Sequence, residues 1–168
     1  MAFQNTINRF TASGIQGDLA NGQVPHYSAL TPRVASGETI YAGDFVWVSE
    51  NATTGVCEAK KASQSGKPTG IVQRVLDIPL PTTAGATLQI PAGRKVDVVV
   101  WGDVFVKVTN EAAVGKKLFV NNTTGAITCG TAGASVSGAT ETDWAIVSLA
   151  GNAADGVNGS IVIASNVQ

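Results

Sequence analysis

The sequence predicts an all-β protein: a sandwich or barrel of about ten short antiparallel strands behind an extended N-terminal arm. Three observations predict it. Valine, isoleucine, threonine and aromatic residues gather in short runs, separated by Gly, Asn, Asp and Pro at intervals of about 8–12 residues. No stretch carries the apolar repeat of an amphipathic helix, and only Glu111-Ala112-Ala113 could close a single helical turn. Residues 1–33 hold neither the strand nor the helix period, although Phe3, Ile7, Phe10, Ile15 and Leu19 punctuate them.

The first element is therefore residues 1–33, broken by Gly14, Gly17, Gly22, Pro25 and Pro32. Fully extended it could reach on the order of 100 Å. A frayed terminus is the plain reading, but a solvated tail rarely carries so many large apolar side chains. An arm that packs on something else accounts for them better. Residues 34–168 then form a single β-domain, in a chain long enough to bury about 70% of its unfolded surface.

Within that domain the strands follow one another at short spacing. Thr39-Ile40-Tyr41 and Phe45-Val46-Trp47-Val48 are each entered through a glycine turn, and Asn51-Ala52-Thr53-Thr54-Gly55 folds the second back into Val56-Cys57-Glu58. Residues 115–129 repeat this plan: Gly115, then Leu118-Phe119-Val120, then Asn121-Asn122-Thr123-Thr124-Gly125 and Ala126-Ile127-Thr128-Cys129. The shared chemistry is that of a hairpin and is too short to establish a duplication. Between the two lie strands at 70–76 and 87–90. A flexible loop over 131–142 precedes a closing strand pair, 144–149 and 160–164.

The strongest β signal is 95–108, where Val96, Val98, Val99, Val100, Trp101, Val104, Phe105, Val106 and Val108 crowd around Gly102-Asp103. A two-residue turn with Gly first fits a type II′ hairpin, setting Trp101 opposite Val104, Val100 opposite Phe105 and Val99 opposite Val106. The competing reading is one long strand with a bulge at Gly102. Either way the ribbon is apolar on both faces and belongs at the centre of the core.

Composition narrows function mainly by exclusion. Charged residues are 14% of the chain and the net charge is −1, against about 25% charged in an ordinary soluble domain. No run of lysine or arginine exceeds two residues, so no nucleic-acid partner is expected. No apolar stretch approaches membrane-spanning length, and the N-terminus lacks the blocks of a signal peptide, so no membrane partner is expected either and synthesis and retention in a cytosol are. A surface this weakly charged suits contact with other proteins, although a Gly/Ala/Thr-rich β-protein can be weakly charged for no such reason.

The search for chemistry finds little. The single histidine, His26, sits in the arm between Pro25 and Tyr27 with no carboxylate close in sequence to orient it. Cys57 and Cys129 fall in the return strands of the two similar hairpins and read as small buried thiols; a disulfide is the alternative, and their spacing suggests no zinc site. The carboxylates are scattered, with Asp44 and Asp103 each following a glycine as turn residues. The glycine-rich span 130–138 lacks the lysine of a phosphate cradle. No catalytic residue, cofactor or metal is expected. Tyr27, Tyr41 and Trp47 leave a sugar-binding platform open.

Several short motifs nevertheless occur together in order: Met1-Ala2-Phe3-Gln4-Asn5-Thr6, Gly17-Asp18, Gly70-Ile71-Val72-Gln73-Arg74, Ile90-Pro91-Ala92-Gly93, Gly102-Asp103-Val104-Phe105 and Val114-Gly115-Lys116-Lys117-Leu118-Phe119-Val120. With them the chain resembles the structural cement, or capsid decoration, proteins of tailed bacteriophages, over roughly residues 1–129. The tail from Gly130 lies outside the resemblance. The resemblance implies a jelly-roll-like β-fold without catalytic residues. It also implies a place on the outer surface of the virion head after synthesis in the host cytoplasm, where the protein bridges neighbouring copies of the major capsid protein as a homodimer or homotrimer. Phe3, Ile7, Phe10, Ile15 and Leu19 are then the expected capsid or inter-subunit contacts. Two other readings stay open. A receptor- or carbohydrate-binding β-module of a phage tail would need an exposed aromatic cluster, and an enzyme would need His26 in a pocket beside a carboxylate.

Overall fold

The computed structural model describes residues 14–20, 24–62, 64–75, 89–149 and 161–166. Its elements are all strands: β1 (His26–Tyr27), β2 (Arg33–Val34), β3 (Ile40–Tyr41), β4 (Phe45–Glu50), β5 (Cys57–Lys60), β6 (Gly70–Val72), β7 (Gln89–Ile90), β8 (Val98–Trp101), β9 (Asp103–Lys107), β10 (Lys117–Asn121), β11 (Ile127–Gly130), β12 (Ala139–Ser148) and β13 (Ile161–Ser165). They form a six-stranded sheet in the order β1-β8-β6-β4-β5-β2, a five-stranded sheet in the order β11-β10-β12-β13-β9, and the ribbon β3-β7.

The alternation of side chains along the central strands decides the layering. In the six-stranded sheet Phe45, Trp47, Ile71 and Val99 point one way and join Val104, Val106, Leu118, Val120, Trp144, Ile146, Val162 and Ala164 of the five-stranded sheet in the main core. Phe45 and Trp144 meet edge to face, with ring centroids 6.2 Å apart. Val46, Val72 and Val98 point the other way into a second core with Val34, Ile40, Ile90 and Val96. The six-stranded sheet is thus buried on both faces, with the five-stranded sheet on one side and the β3-β7 ribbon on the other.

This arrangement corrects the hairpin expected at Gly102-Asp103. β8 pairs with β6 and β1, whereas β9 pairs with β13, so the chain passes from one sheet to the other at Gly102. The alternative of one strand interrupted at Gly102 lies closer to this corner. Strands that change sheets at a bend make the corners of sandwiches, and the change satisfies two apolar faces without a tight turn. Gly102 has φ +132°, and a Cβ there would lie 3.2 Å from Pro25 Cα. Asn166 fastens the corner: its side-chain amide donates to Val100 O at 2.9 Å and its backbone N–H to Gly102 O at 3.2 Å.

Other expectations divide. The two similar hairpins form with matching loops. Asn51 Oδ1 accepts from the N–H groups of Thr53 and Thr54, Asn121 Oδ1 from those of Thr123 and Thr124, and Gly55 and Gly125 each donate to the carbonyl of the asparagine that opens the loop. The closing pair β12 and β13 is antiparallel. β12 begins at Ala139, inside the expected loop, and β2 pairs with β5 in parallel, so the pairing is not antiparallel throughout. Residues 111–113 make no helical turn.

Candidate functional site

Three of the short motifs singled out in the sequence converge where the N-terminal segment meets the sandwich. Residues 17–20 run along the outer edge of β9: Gly17 N–H donates to Phe105 O at 2.8 Å, Phe105 N–H to Asp18 O at 3.0 Å and Ala20 N–H to Asp103 O at 2.9 Å, with Leu19 bridged antiparallel to Val104. From the other sheet Arg74 N–H donates to Gly17 O at 2.8 Å, and the Arg74 guanidinium lies 3.0 Å from the Asp18 carboxylate. Gly17-Asp18, Gly102 to Phe105 and Arg74 therefore close one clasp. Glycine is required at its centre. Gly17 has φ +85°, and a Cβ there would fall 2.7 Å from Ala42 Cβ.

The clasp covers two exposed features of a bare sandwich. It occupies the free edge of β9, and it shields Phe105, which projects outward from the five-stranded sheet yet is buried with Ala20 against it. Gly14 sits on that ring so closely that a Cβ would lie 2.3 Å from Phe105 Cε2.

The expected contact residues separate here. Ile15 is 50% exposed, and Leu19 is partly buried against the main core of its own chain. Phe3, Ile7 and Phe10 lie outside the described residues. Within the span expected as an arm, β1 and Arg33 of β2 are part of the six-stranded sheet, β1 paired with β8 and β2 with β5.

A second surface was not visible in the sequence. Val34 N–H donates to Arg94 O, Gly93 N–H to Val34 O and Val96 N–H to Pro32 O, with Arg33 bridged to Lys95. This short ladder brings Arg33, Arg94 and Lys95 together at a cleft of about 410 Å³. Arg94-Lys95 is an unremarkable pair in sequence, and only the ladder adds the distant Arg33.

The residues singled out for chemistry have structural surroundings. His26 is exposed, with its ring centroid 4.8 Å from that of Trp101 and the two planes tilted by 47°. Asp44, expected as a turn residue, is buried, accepts from Tyr41 N–H at 2.8 Å and pairs with Lys61 Nζ at 2.8 Å; burial, only partly offset by Lys61, pushes its pKa up. Both cysteines are free; Cys129 is buried, Cys57 half-buried, and burial raises the Cys129 thiol pKa. Trp47 is buried and donates from Nε1 to Gly66 O, so Tyr27, Tyr41 and Trp47 form no exposed platform. Among the described residues no His, Cys, Asp and Glu side chains group as metal ligands, and no helix is long and apolar enough to cross a membrane.

The family model described as "Structural cement protein (E217 gp24/Pam3 gp6)" matches residues 3–165. The match extends past residue 129, where the motif resemblance stops, and takes in β11, β12 and β13. A solved chain from "The capsid of Myoviridae Phage XM1" shares the fold with a TM-score of 0.59 at 19% sequence identity, over 100% of this chain and 99% of that one. No curated protein matches the sequence. Clasp, sandwich corner and closing strands all fall within the matched span, so the chain belongs to the structural cement protein family of phage capsids and has the capsid-stabilising role of that family.

Proposed function

We propose that the protein binds the outer surface of a tailed-phage head and bridges neighbouring copies of the major capsid protein as a homo-oligomer, a dimer or trimer, in a purely structural, non-enzymatic role. The family match over residues 3–165 carries this reading. The physical design supports it. A sheet buried on both faces resists deformation, and a net charge of −1 keeps repulsion between crowded copies small. The N-terminal arm supplies adhesion: Phe3, Ile7, Phe10 and Ile15 contact the shell or a sister subunit, and Leu19 roots them in the domain. Each contact needs to bury only about 800 Å² per partner, because a symmetric lattice multiplies modest affinities.

The experiment is re-addition. Purified protein is titrated onto mature heads assembled without it, and the bound ratio to shell protein and the temperature of head disruption are measured. Saturation at a fixed ratio with a raised disruption temperature is the expected result. Heads that neither retain the protein nor gain stability would overturn the proposal.

A further inference from the structure

We infer that the cleft beside Arg33 and Lys95 is a docking groove for an extended, carboxylate-bearing segment of the capsid partner; the inference rests on the proposed function and names the chemistry of its contact. The groove is formed by mismatched pairing. Ser28 N–H donates to Val98 O at 2.8 Å and Val96 N–H to Pro32 O at 3.0 Å, so residues 29–31 span the interval that residue 97 alone spans on the facing strand. The longer side arches away, held by Leu30 N–H donating to Ser28 Oγ at 3.3 Å. Two adjoining clefts result. One, of about 410 Å³, is lined by Arg33, Arg94 and Lys95; the other, of about 310 Å³, by Tyr27 and Leu30, with Thr31 and Asp97 common to both.

Charge identifies one half of the ligand. Lys60, Lys61, Lys67 and Arg74 each hold a carboxylate within ion-pair distance. Among the described residues Arg33, Arg94 and Lys95 hold none, and neither do Lys107, Lys116 and Lys117, but only the first three gather at one cleft, where Asp97 is the carboxylate. The Arg33 guanidinium donates one N–H to Gly93 O at 3.2 Å and, among the described residues, has its remaining N–H groups available for a planar, two-point carboxylate contact. Among the described residues three cations and one carboxylate line this cleft, which favours an anionic occupant.

Apolar exposure identifies the other half. Tyr27 is 45% exposed and Leu30 48% exposed. Tyr27 lines one cleft and Arg33 the adjoining one, and tyrosine and arginine are residue types in which protein interfaces concentrate their binding energy. The track from Tyr27 to Arg33 is at most about 20 Å long, which suits an extended peptide of about six residues. A nucleic acid is a poorer occupant, because the chain has a net charge of −1 and no run of lysine or arginine longer than two residues.

The test uses the full chain and heads lacking it. Arg33→Glu/Lys95→Glu and, separately, Tyr27→Ala are titrated beside the wild type at low and moderate salt. All these side chains are exposed, so thermal unfolding should be unchanged. The expected result is an affinity loss of about tenfold or more for each variant, with the salt dependence of wild-type binding much reduced in the charge-reversed one. Wild-type binding with undiminished affinity in the charge-reversed variant would overturn the inference and leave the proposed function standing. Failure of the wild type to bind heads would overturn both. Salt-sensitive retention of single-stranded DNA by the wild type, lost on charge reversal, would assign the groove to nucleic acid and overturn the inference.

Discussion

The Arg74 guanidinium sits 3.0 Å from the Asp18 carboxylate, so a residue just beyond β6 of one sheet holds the segment that covers the edge of β9 in the other. The N-terminal segment is thus bonded to the sandwich from Gly17 onward, and this guides where an arm can be removed. Deleting residues 2–13 should weaken head binding severely while leaving thermal unfolding within about 1 °C of the full chain, since the clasp stays intact. Deleting residues 2–20 strips the β9 edge and uncovers Phe105; full exposure of such a side chain alone costs about 1.5–3 kcal/mol, so a clear fall in the unfolding midpoint is expected. Equal midpoints for the two truncations would show that the clasp adds no stability.

The salt bridge itself should matter less than the backbone bonds around it. Both partners are partly exposed, and such pairs contribute about 0–1 kcal/mol. Arg74→Ala is expected to lower stability by no more than about that amount, whereas Gly17→Ala should do worse, because its added Cβ meets Ala42 and its φ of +85° strains an L-residue by about 1–3 kcal/mol. Urea unfolding of the two variants orders the effects; a larger loss for Arg74→Ala would reverse this account.

At the sheet corner the expectation is again steric. Gly102→Val places a β-branched residue at φ +132° against Pro25 and should destabilise by about 1–3 kcal/mol or more. A hairpin turn would be judged by pairing of β8 with β9; a corner is judged by contact with β1. The variant should accordingly loosen the His26–Trp101 contact as well, measured as a shift of the ring-proton resonances of His26, the single histidine of the chain.

How much of this was legible follows from the range of each interaction. Strand-forming runs and hairpin loops are written locally, so β4, β5, β10, β11 and β13 stand close to where valine, isoleucine and Asn/Thr/Gly place them. Gly102-Asp103 was misread because a tight turn and a sheet change make the same local demand, a glycine between two apolar runs; only the partners of β8 and β9, β6 and β13, distinguish them. β1 and β2 are two residues each, flanked by proline, and owe their strand character to β8 and β5. The motifs Gly17-Asp18 and Arg74 were visible in the sequence, but their meeting was not. The groove had no local signal, since Arg33 and Lys95 face each other only through the ladder.

The buried Asp44 makes a pH prediction. Its carboxyl is raised above the ordinary value of 3.8, because loss of hydration outweighs the attraction of Lys61. An acid whose folded-state pKa is raised binds its proton more tightly in the folded than in the unfolded chain. Its contribution to stability is then most favourable below 3.8 and is lost as pH rises through the raised value. Asp44→Asn keeps an oxygen to accept from Tyr41 N–H and removes the titration, so the stability of the variant relative to wild type should rise between acidic and neutral pH. A relative stability that falls over that window would mean that the 2.8 Å contact with Lys61 outweighs burial after all.

The two thiols should react at very different rates although they occupy similar hairpins. Cys129 is buried, its Sγ–H donates to Glu111 O at 3.1 Å, and burial raises its pKa, so little thiolate forms at mildly alkaline pH. Cys57 begins β5 next to the exposed loop 51–56 and is half-buried. In native protein at pH 8 a disulfide reagent should therefore modify Cys57 first and leave Cys129 until the fold opens. Its delayed reaction should track global unfolding in urea, since β11 pairs with β10 inside the main core. Early modification of Cys129 would mean that β11 opens independently of the sandwich. The edge of the five-stranded sheet would then be a labile element rather than part of the rigid body that cements the shell.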